Sequence, residues 1–256
     1  MSEYVRLETT GQLAVVTLDN PDRRNAQTPA TWRDLAGIGR SLPGDVRVVL
    51  LRAEGTSFSA GLDRRLFPGG GGVPGEPALT DLAERDDADV DAAIAVFQEA
   101  FTWWRRPDLV SIAAVQGHAV GAGFQLALAC DLRVCADDVQ FAMLETQLGL
   151  VPDLAGTKPL VDLVGHARAL EICLTGRRIG AAEAAALGIA TSVVPRADLD
   201  TAAMALANAL TAAPRNAVVE TKALLAGAAT RSYDEQRAAE REAQTRRLKD
   251  LLGAGE

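Results

Sequence analysis

Aromatic residues are scarce in this chain, at 4% of 256 residues, and positive charge is in deficit, 26 Lys plus Arg against 34 Asp plus Glu. The resulting net charge of −8 works against non-specific binding to nucleic acid or anionic lipid, which depends on an excess of Lys and Arg. No basic stripe interleaved with aromatics offsets it. Cysteine is also sparse. Cys130, Cys135 and Cys173 form an odd set without C-x-x-C spacing, and each sits in an apolar run where it packs as a small hydrophobe. The two histidines, His118 and His166, belong to no H-E-x-x-H pattern, so no metal site is expected. Every apolar run meets an Asp, Arg or Gly well before membrane-spanning length. The opening MSEYVRLETTGQ holds no basic segment followed by an apolar one, so no signal peptide is expected. These absences predict a soluble, reduced, cytoplasmic protein with neither nucleic acid nor membrane as partner.

What is present is ordinary globular composition, 48% hydrophobic and 23% charged, in a chain long enough to bury a large core without staples. LAVVTLD (13–19), VRVVLLRA (46–53) and VSIAAVQG (110–117) read as strands. The last two are continuously apolar, as strands covered on both faces are. Thr28 followed by Pro29 predicts a helix start, with the helix running to about Ser41. Another helix is expected over about 86–105, and one entered through glycines over 121–130. DLRVCA and VQFA read as two short strands. Beyond them the pattern predicts helices over 156–175, 181–187, 198–212, 215–228 and 231–252, punctuated by Pro195 and Pro214. The tract FPGGGGVPGEP (67–77) reads as a surface loop, either a tolerated insertion or a lid. The fold class is α/β, with a core over 1–195 and a helical region over 196–256.

Three constellations bear on chemistry. Gly121–Ala122–Gly123 fails the dinucleotide fingerprint, because residue 126 is Leu126 rather than glycine. It remains a tight turn opening a helix, whose free N–H groups favour a developing negative charge. A second small-residue turn, Ser59–Ala60–Gly61–Leu62, could bring another N–H to the same ligand, and two on one carbonyl oxygen make an oxyanion hole. Taken alone, each such turn is more often mere chain geometry than a site. A serine-nucleophile reading of Gly55–Thr56–Ser57–Phe58–Ser59 lacks the final glycine of G-x-S-x-G and an ordered triad. Third, Gln125, Glu145 and Asp153 are polar residues in apolar surroundings. A carboxylate so placed has a raised pKa, which suits proton transfer near neutral pH. Capping by Asp153 and ion pairing of Glu145 with an arginine are the competing explanations.

Taken in order, LDNPDRRNA (18–26), GTSFSAGLD (55–63), VQGHAVGAGFQLALACDLRV (115–134), FAMLETQLGLVPDLAGT (141–157) and ALEICLTGRRIGAAEAAALGIATSVVP (169–195) resemble the enoyl-CoA hydratase/isomerase family, the crotonase superfamily. The resemblance implies a crotonase-like spiral of ββα repeats, a C-terminal helical trimerisation region and a homotrimer or a hexamer built as a dimer of trimers. It also implies an acyl-CoA or enoyl-CoA substrate, with coenzyme A entering as part of that substrate and no separate cofactor. The family's oxyanion-hole N–H groups map onto Leu62 and Ala122. Arg24, Ala26, Ser59, Ala60, Asp63 and Gly121 fall where the family binds the CoA portion, and Asp63 would anchor the first turn. Arg23, Arg64 and Arg65 are further cations flanking these motifs. The hydratases of the family carry two glutamates; here the second is Glu145 and the first is Gln125, which cannot accept a proton from water. Asp153 sits where some of the family's isomerases carry an aspartate. One carboxylate suffices for double-bond isomerisation, so this activity, through Glu145, is favoured over 2-enoyl-CoA hydration with Gln125 positioning water. A non-catalytic acyl-CoA binder is the third reading. The terminal RRLKDLLGAGE lacks the phenylalanine with which the family usually closes the CoA pocket.

Overall fold

The computed structural model describes residues 4–253. Its strands are β1 (Val5–Thr10), β2 (Leu13–Leu18), β3 (Val48–Ala53), β4 (Val110–Val115), β5 (His118–Val120), β6 (Leu132–Ala136), β7 (Gln140–Ala142), β8 (Ile179–Gly180) and β9 (Ser192–Val194). They form a larger sheet ordered β1-β2-β3-β4-β6-β9 and a smaller one ordered β5-β7-β8. Apart from the antiparallel β1–β2 pair, the larger sheet is parallel. The helices are α1 (Pro29–Ser41), α2 (Leu79–Ala83), α3 (Asp87–Thr102), α4 (Ala122–Ala129), α5 (Thr157–Val164), α6 (His166–Thr175), α7 (Ala181–Ala186), α8 (Leu199–Ala212), α9 (Arg215–Ala228) and α10 (Tyr233–Leu251).

The continuously apolar β3 needs cover on both faces and has it. Side chains alternate across a strand. Val49 and Leu51 therefore join the main core with α1, α3 and α4, while Val48 and Leu50 join a second cluster closed by Leu199, Ala203 and Ala207 of α8. The first helix after Pro195 thus packs directly on the larger sheet. Thr28 caps α1 as its sequence predicts, its hydroxyl accepting the Thr31 N–H with Pro29 in the first turn. Trp32 of α1 meets Phe97 and Phe101 of α3 at ring-centroid distances of 4.9 and 6.1 Å. The helix expected over 156–175 is two helices. Gly165 separates α5 from α6 at φ +78° and ψ 161°, a backbone geometry open to glycine and strained for other residues.

The chain repeats one device. A long strand enters the larger sheet, a short one follows in the smaller sheet, and a helix closes the turn: β4–β5–α4, then β6–β7. The segment after β3 does the same without a full strand, because Ser59 bridges Ala119 of β5 in parallel. This is the spiral of ββα turns that the resemblance implies. Its consequence is local: the exits of successive short segments lie side by side, at 59–62, at 119–122 and after Ala142.

Candidate active site

Backbone packed against backbone at this junction leaves no room for side chains. A Cβ on Gly61 would fall 2.5 Å from the Val120 carbonyl oxygen and 3.5 Å from the Ala122 nitrogen. One on Gly123 would fall 2.6 Å from the Ser59 carbonyl oxygen. The two turns named from sequence therefore touch. Ala122 opens α4, whose first-turn N–H groups lack intrahelical acceptors. Among the described residues, neither the Leu62 nor the Ala122 N–H donates a backbone hydrogen bond.

Gln27, which carried no sequence signal, holds the first turn in place. Trp32 Nε1 donates to Gln27 Oε1 (2.8 Å), and Gln27 Nε2 donates to Ser59 Oγ (3.0 Å). Ser59 Oγ in turn donates to the Asn25 carbonyl (2.8 Å) and accepts the Gly61 N–H (3.2 Å). The Ser59 hydroxyl is buried and engaged as a turn clamp. Ser57, the serine of the G-x-S reading, is 2% exposed with its Oγ 3.3 Å from His118 Nδ1, and neither lines the cavity described below.

Glu145 follows β7 and lies over the second turn; a Cβ on Gly121 would sit 3.4 Å from Glu145 Oε1. Gln125 Nε2 donates to Glu145 Oε1 at 2.7 Å. The amide orientation is fixed from behind, because Gln125 Oε1 accepts the N–H groups of Leu154 (3.0 Å) and Gly156 (3.3 Å). Glu145 Oε2 is buried without a hydrogen-bond partner among the described residues. Burial pushes the Glu145 carboxyl above its ordinary pKa; its hydrogen bonds, including that from Gln125, oppose this only in part, and the nearby Asp153 charge adds to the rise. Burial raises Asp153 likewise. Both competing explanations fail. The α5 N-cap is Gly156 without a side-chain bond, and among the described residues no ion pair involves Glu145.

The loop carrying Asp153 is held at both ends. Gln98 Nε2 of α3 donates to the Asp153 carbonyl at 2.7 Å, and Ala155 takes a left-handed φ of +61°. Gly156 is required beside it, since a Cβ there would meet Gln125 Cγ at 2.6 Å and Oε1 at 2.9 Å. Gly156→Ala is expected to displace Gln125 and cost about 1–3 kcal/mol of stability by overpacking, read by denaturant unfolding.

The cations divide. Asp63 is 2% exposed and receives Arg65 (Nη2, 2.8 Å) and Arg23 (Nε, 3.4 Å). Burial alone would raise its pKa, but the bonds from Arg65 and the charge of Arg23 outweigh it and hold the carboxyl below its ordinary value. Arg23 and Arg65 thus both pair with Asp63. Arg24, exposed at φ +51°, and Arg64 have no ion pair among the described residues. His118 has a lowered pKa, from burial first and then from the charges of Arg178 and Arg24. Arg178 therefore joins Arg24 there, a cation that motif reading passed over. Ala26 is half-buried beside them and Ala60 is exposed.

Leu62, Ala122, Gln125, Glu145 and Asp153 all line one cavity of about 370 Å³, whose remaining wall is almost entirely apolar. Ala60, Gly61, Gly121 and Arg64 are at the same cavity. The sequence model of the enoyl-CoA hydratase/isomerase family matches residues 8–250. The chain is 36% identical over 214 residues to the carnitinyl-CoA dehydratase of Escherichia coli K12, covering 82% of this chain and 75% of that one. A solved structure described as an enoyl-CoA hydratase from Thermobifida fusca YX in complex with CoA is 49% identical, with a TM-score of 0.91 over 98% of this chain and 95% of that one. Its counterpart with acetoacetyl-CoA is 50% identical, with a TM-score of 0.91 over 96% and 95%.

Proposed function

The chain belongs to the enoyl-CoA hydratase/isomerase family, and from that premise we propose that it isomerises the double bond of an enoyl-CoA thioester with Glu145 as its acid–base group. The observation that carries this is the state of Glu145, a residue that lines the cavity: Oε1 is held by the Gln125 amide, and Oε2 is buried and unpartnered. The thioester oxygen accepts the N–H groups of Leu62 and Ala122. Glu145 Oε2 takes the acidic proton next to the thioester carbonyl from a 3-enoyl-CoA, leaving a dienolate whose charge those two N–H groups stabilise. The same carboxyl returns the proton to the far carbon, giving the conjugated 2-enoyl-CoA with no net change in atoms. Asp153, on the same cavity, raises the Glu145 pKa and serves as a second proton carrier.

Gln125 acts by position. Its oxygen is occupied by Leu154 and Gly156 and its amide faces Glu145, so it takes no proton from water. The CoA portion lies along the 59–60 turn and Gly121, with Arg24 and Arg178 near its phosphates. Ser59 and Asp63 serve that surface through the turn they hold, and Ala26 through its backbone beside Arg24. No further cofactor takes part. The exposed Leu148, Leu150, Val151, Leu170 and Leu174 suit a face covered in a cytoplasmic homotrimer or dimer of trimers.

Hydration is the second reading, favoured by one observation: the similar proteins above are described as a hydratase and a dehydratase. A paired assay separates the two. With 3-enoyl-CoA, conjugated thioester absorbance should appear; with 2-enoyl-CoA in water, it should fall far more slowly. A faster fall than rise would overturn isomerisation. No change in either, with tight acyl-CoA binding, would select a non-catalytic binder.

A further inference from the structure

A second cavity of about 240 Å³ adjoins the catalytic one, and the acid–base chemistry makes no use of it. Trp32, Leu62, Leu79, Leu82 and Phe97 line both cavities, so these five side chains form the partition between them. Trp32 is fixed in the core, its ring centroid 4.9 Å from that of Phe97. Leu79 and Leu82 stand on α2, a five-residue helix with no buried residue, reached through the Gly/Pro tract. One carboxylate sets where that helix begins. Glu76 Oε1 accepts the Ala30 N–H (3.0 Å) and Arg33 Nη2 (3.2 Å) at the start of α1. The partition is thus apolar throughout, held in the core on one side and carried by an unburied helix on the other.

We infer that the acyl group this site takes is a long uncharged hydrocarbon chain, which passes from the catalytic cavity between Leu79 and Leu82 on one side and Trp32 and Phe97 on the other, into the second cavity. The inference rests on the acyl-CoA reading above and names its substrate class. The charged side chains on the second cavity are Arg33 and Arg85; a cationic acyl group would meet no carboxylate there to pair with, and Arg33 is already engaged by Glu76. A short acyl group would end at the partition and gain nothing beyond it. Each methylene that enters apolar surroundings should tighten binding about fourfold.

Calorimetric titration with butyryl-, octanoyl- and dodecanoyl-CoA tests this apart from turnover, because these saturated thioesters neither isomerise nor hydrate. Octanoyl-CoA, four methylenes longer than butyryl-CoA, should bind about 250-fold tighter where all four are buried, and dodecanoyl-CoA at least about tenfold tighter again. Ala93→Trp fills the second cavity from α3, at a residue that lines that cavity and not the catalytic one. It should weaken dodecanoyl-CoA at least about tenfold and leave butyryl-CoA within about twofold, and Val96→Trp, also on the second cavity alone, should do the same. Equal affinities along the series, or equal losses for butyryl- and dodecanoyl-CoA in both variants, would overturn the inference. Chain-length-dependent binding with no turnover of any enoyl-CoA would instead remove the isomerase reading and leave the acyl channel standing.

Discussion

Glu145→Gln is expected to lower isomerase turnover by about a thousandfold or more, the upper part of what one acid–base group contributes. Affinity for a saturated acyl-CoA should stay within about twofold, since the amide replaces a group that acts on the reacting carbon rather than on the CoA. The variant keeps its local structure because the glutamine oxygen can still accept from Gln125 Nε2. It should also be more stable than the natural protein near neutral pH. Folding raises the Glu145 pKa, so the folded chain holds that proton more tightly than the unfolded one. The associated stabilisation is complete below the ordinary glutamate range and is lost as pH rises through the raised value. Near neutrality the natural protein therefore carries a buried carboxylate at a cost the amide lacks. Thermal unfolding should show the gain shrinking in acid. The natural enzyme's kcat/KM should fall as pH drops through that same raised value, where the base becomes protonated. Retention of turnover in Glu145→Gln would move the base to Asp153.

Where a local pattern decides the structure, the sequence showed it. Continuous apolar runs placed β3 and β4, and Thr28–Pro29 placed the start of α1. Short, weakly patterned elements escaped. β1 is six residues long but buries only Val5, so no alternation emerges, and β8 has only two residues, too few for a period of two. Gly165 was hidden in an otherwise good helix because its effect depends on a positive φ. The site divides similarly. The turns that hold Leu62 and Ala122 were legible because tight turns need small residues nearby in the chain. The role of Gln125 was not, since its partners Leu154 and Gly156 lie 29 and 31 residues away. Nor was Gln27, which reaches Ser59 across 32 residues. Long-range polar contacts leave no trace in periodicity, and arginine partners leave little: the pairing of Asp63 with both Arg23 and Arg65 is not visible in their flanking positions.

Gln125→Glu should raise the hydration of 2-enoyl-CoA at least about tenfold, by supplying a second acid–base carboxylate. One oxygen of the new carboxylate can keep the N–H groups of Leu154 and Gly156, which now bond Gln125 Oε1. The other then stands where Nε2 is, 2.7 Å from Glu145 Oε1. Two carboxylates at that distance cannot both ionise, so the pair retains one proton and titrates in two coupled steps. Hydration needs that arrangement: one carboxylate to take the proton of water as its oxygen attacks, and one carboxylic acid to protonate the neighbouring carbon. Isomerisation should fall in the same variant, because Glu145 spends more of its time protonated near neutral pH. The conjugated thioester absorbance reports both reactions, disappearing in one and appearing in the other. A natural protein that already hydrates faster than it isomerises, with Gln125→Glu leaving that rate unchanged, would show that water is activated without a second carboxylate. The amide between Glu145 and the 153–156 loop would then be a water-positioning group, and the choice between hydration and isomerisation would rest on Asp153.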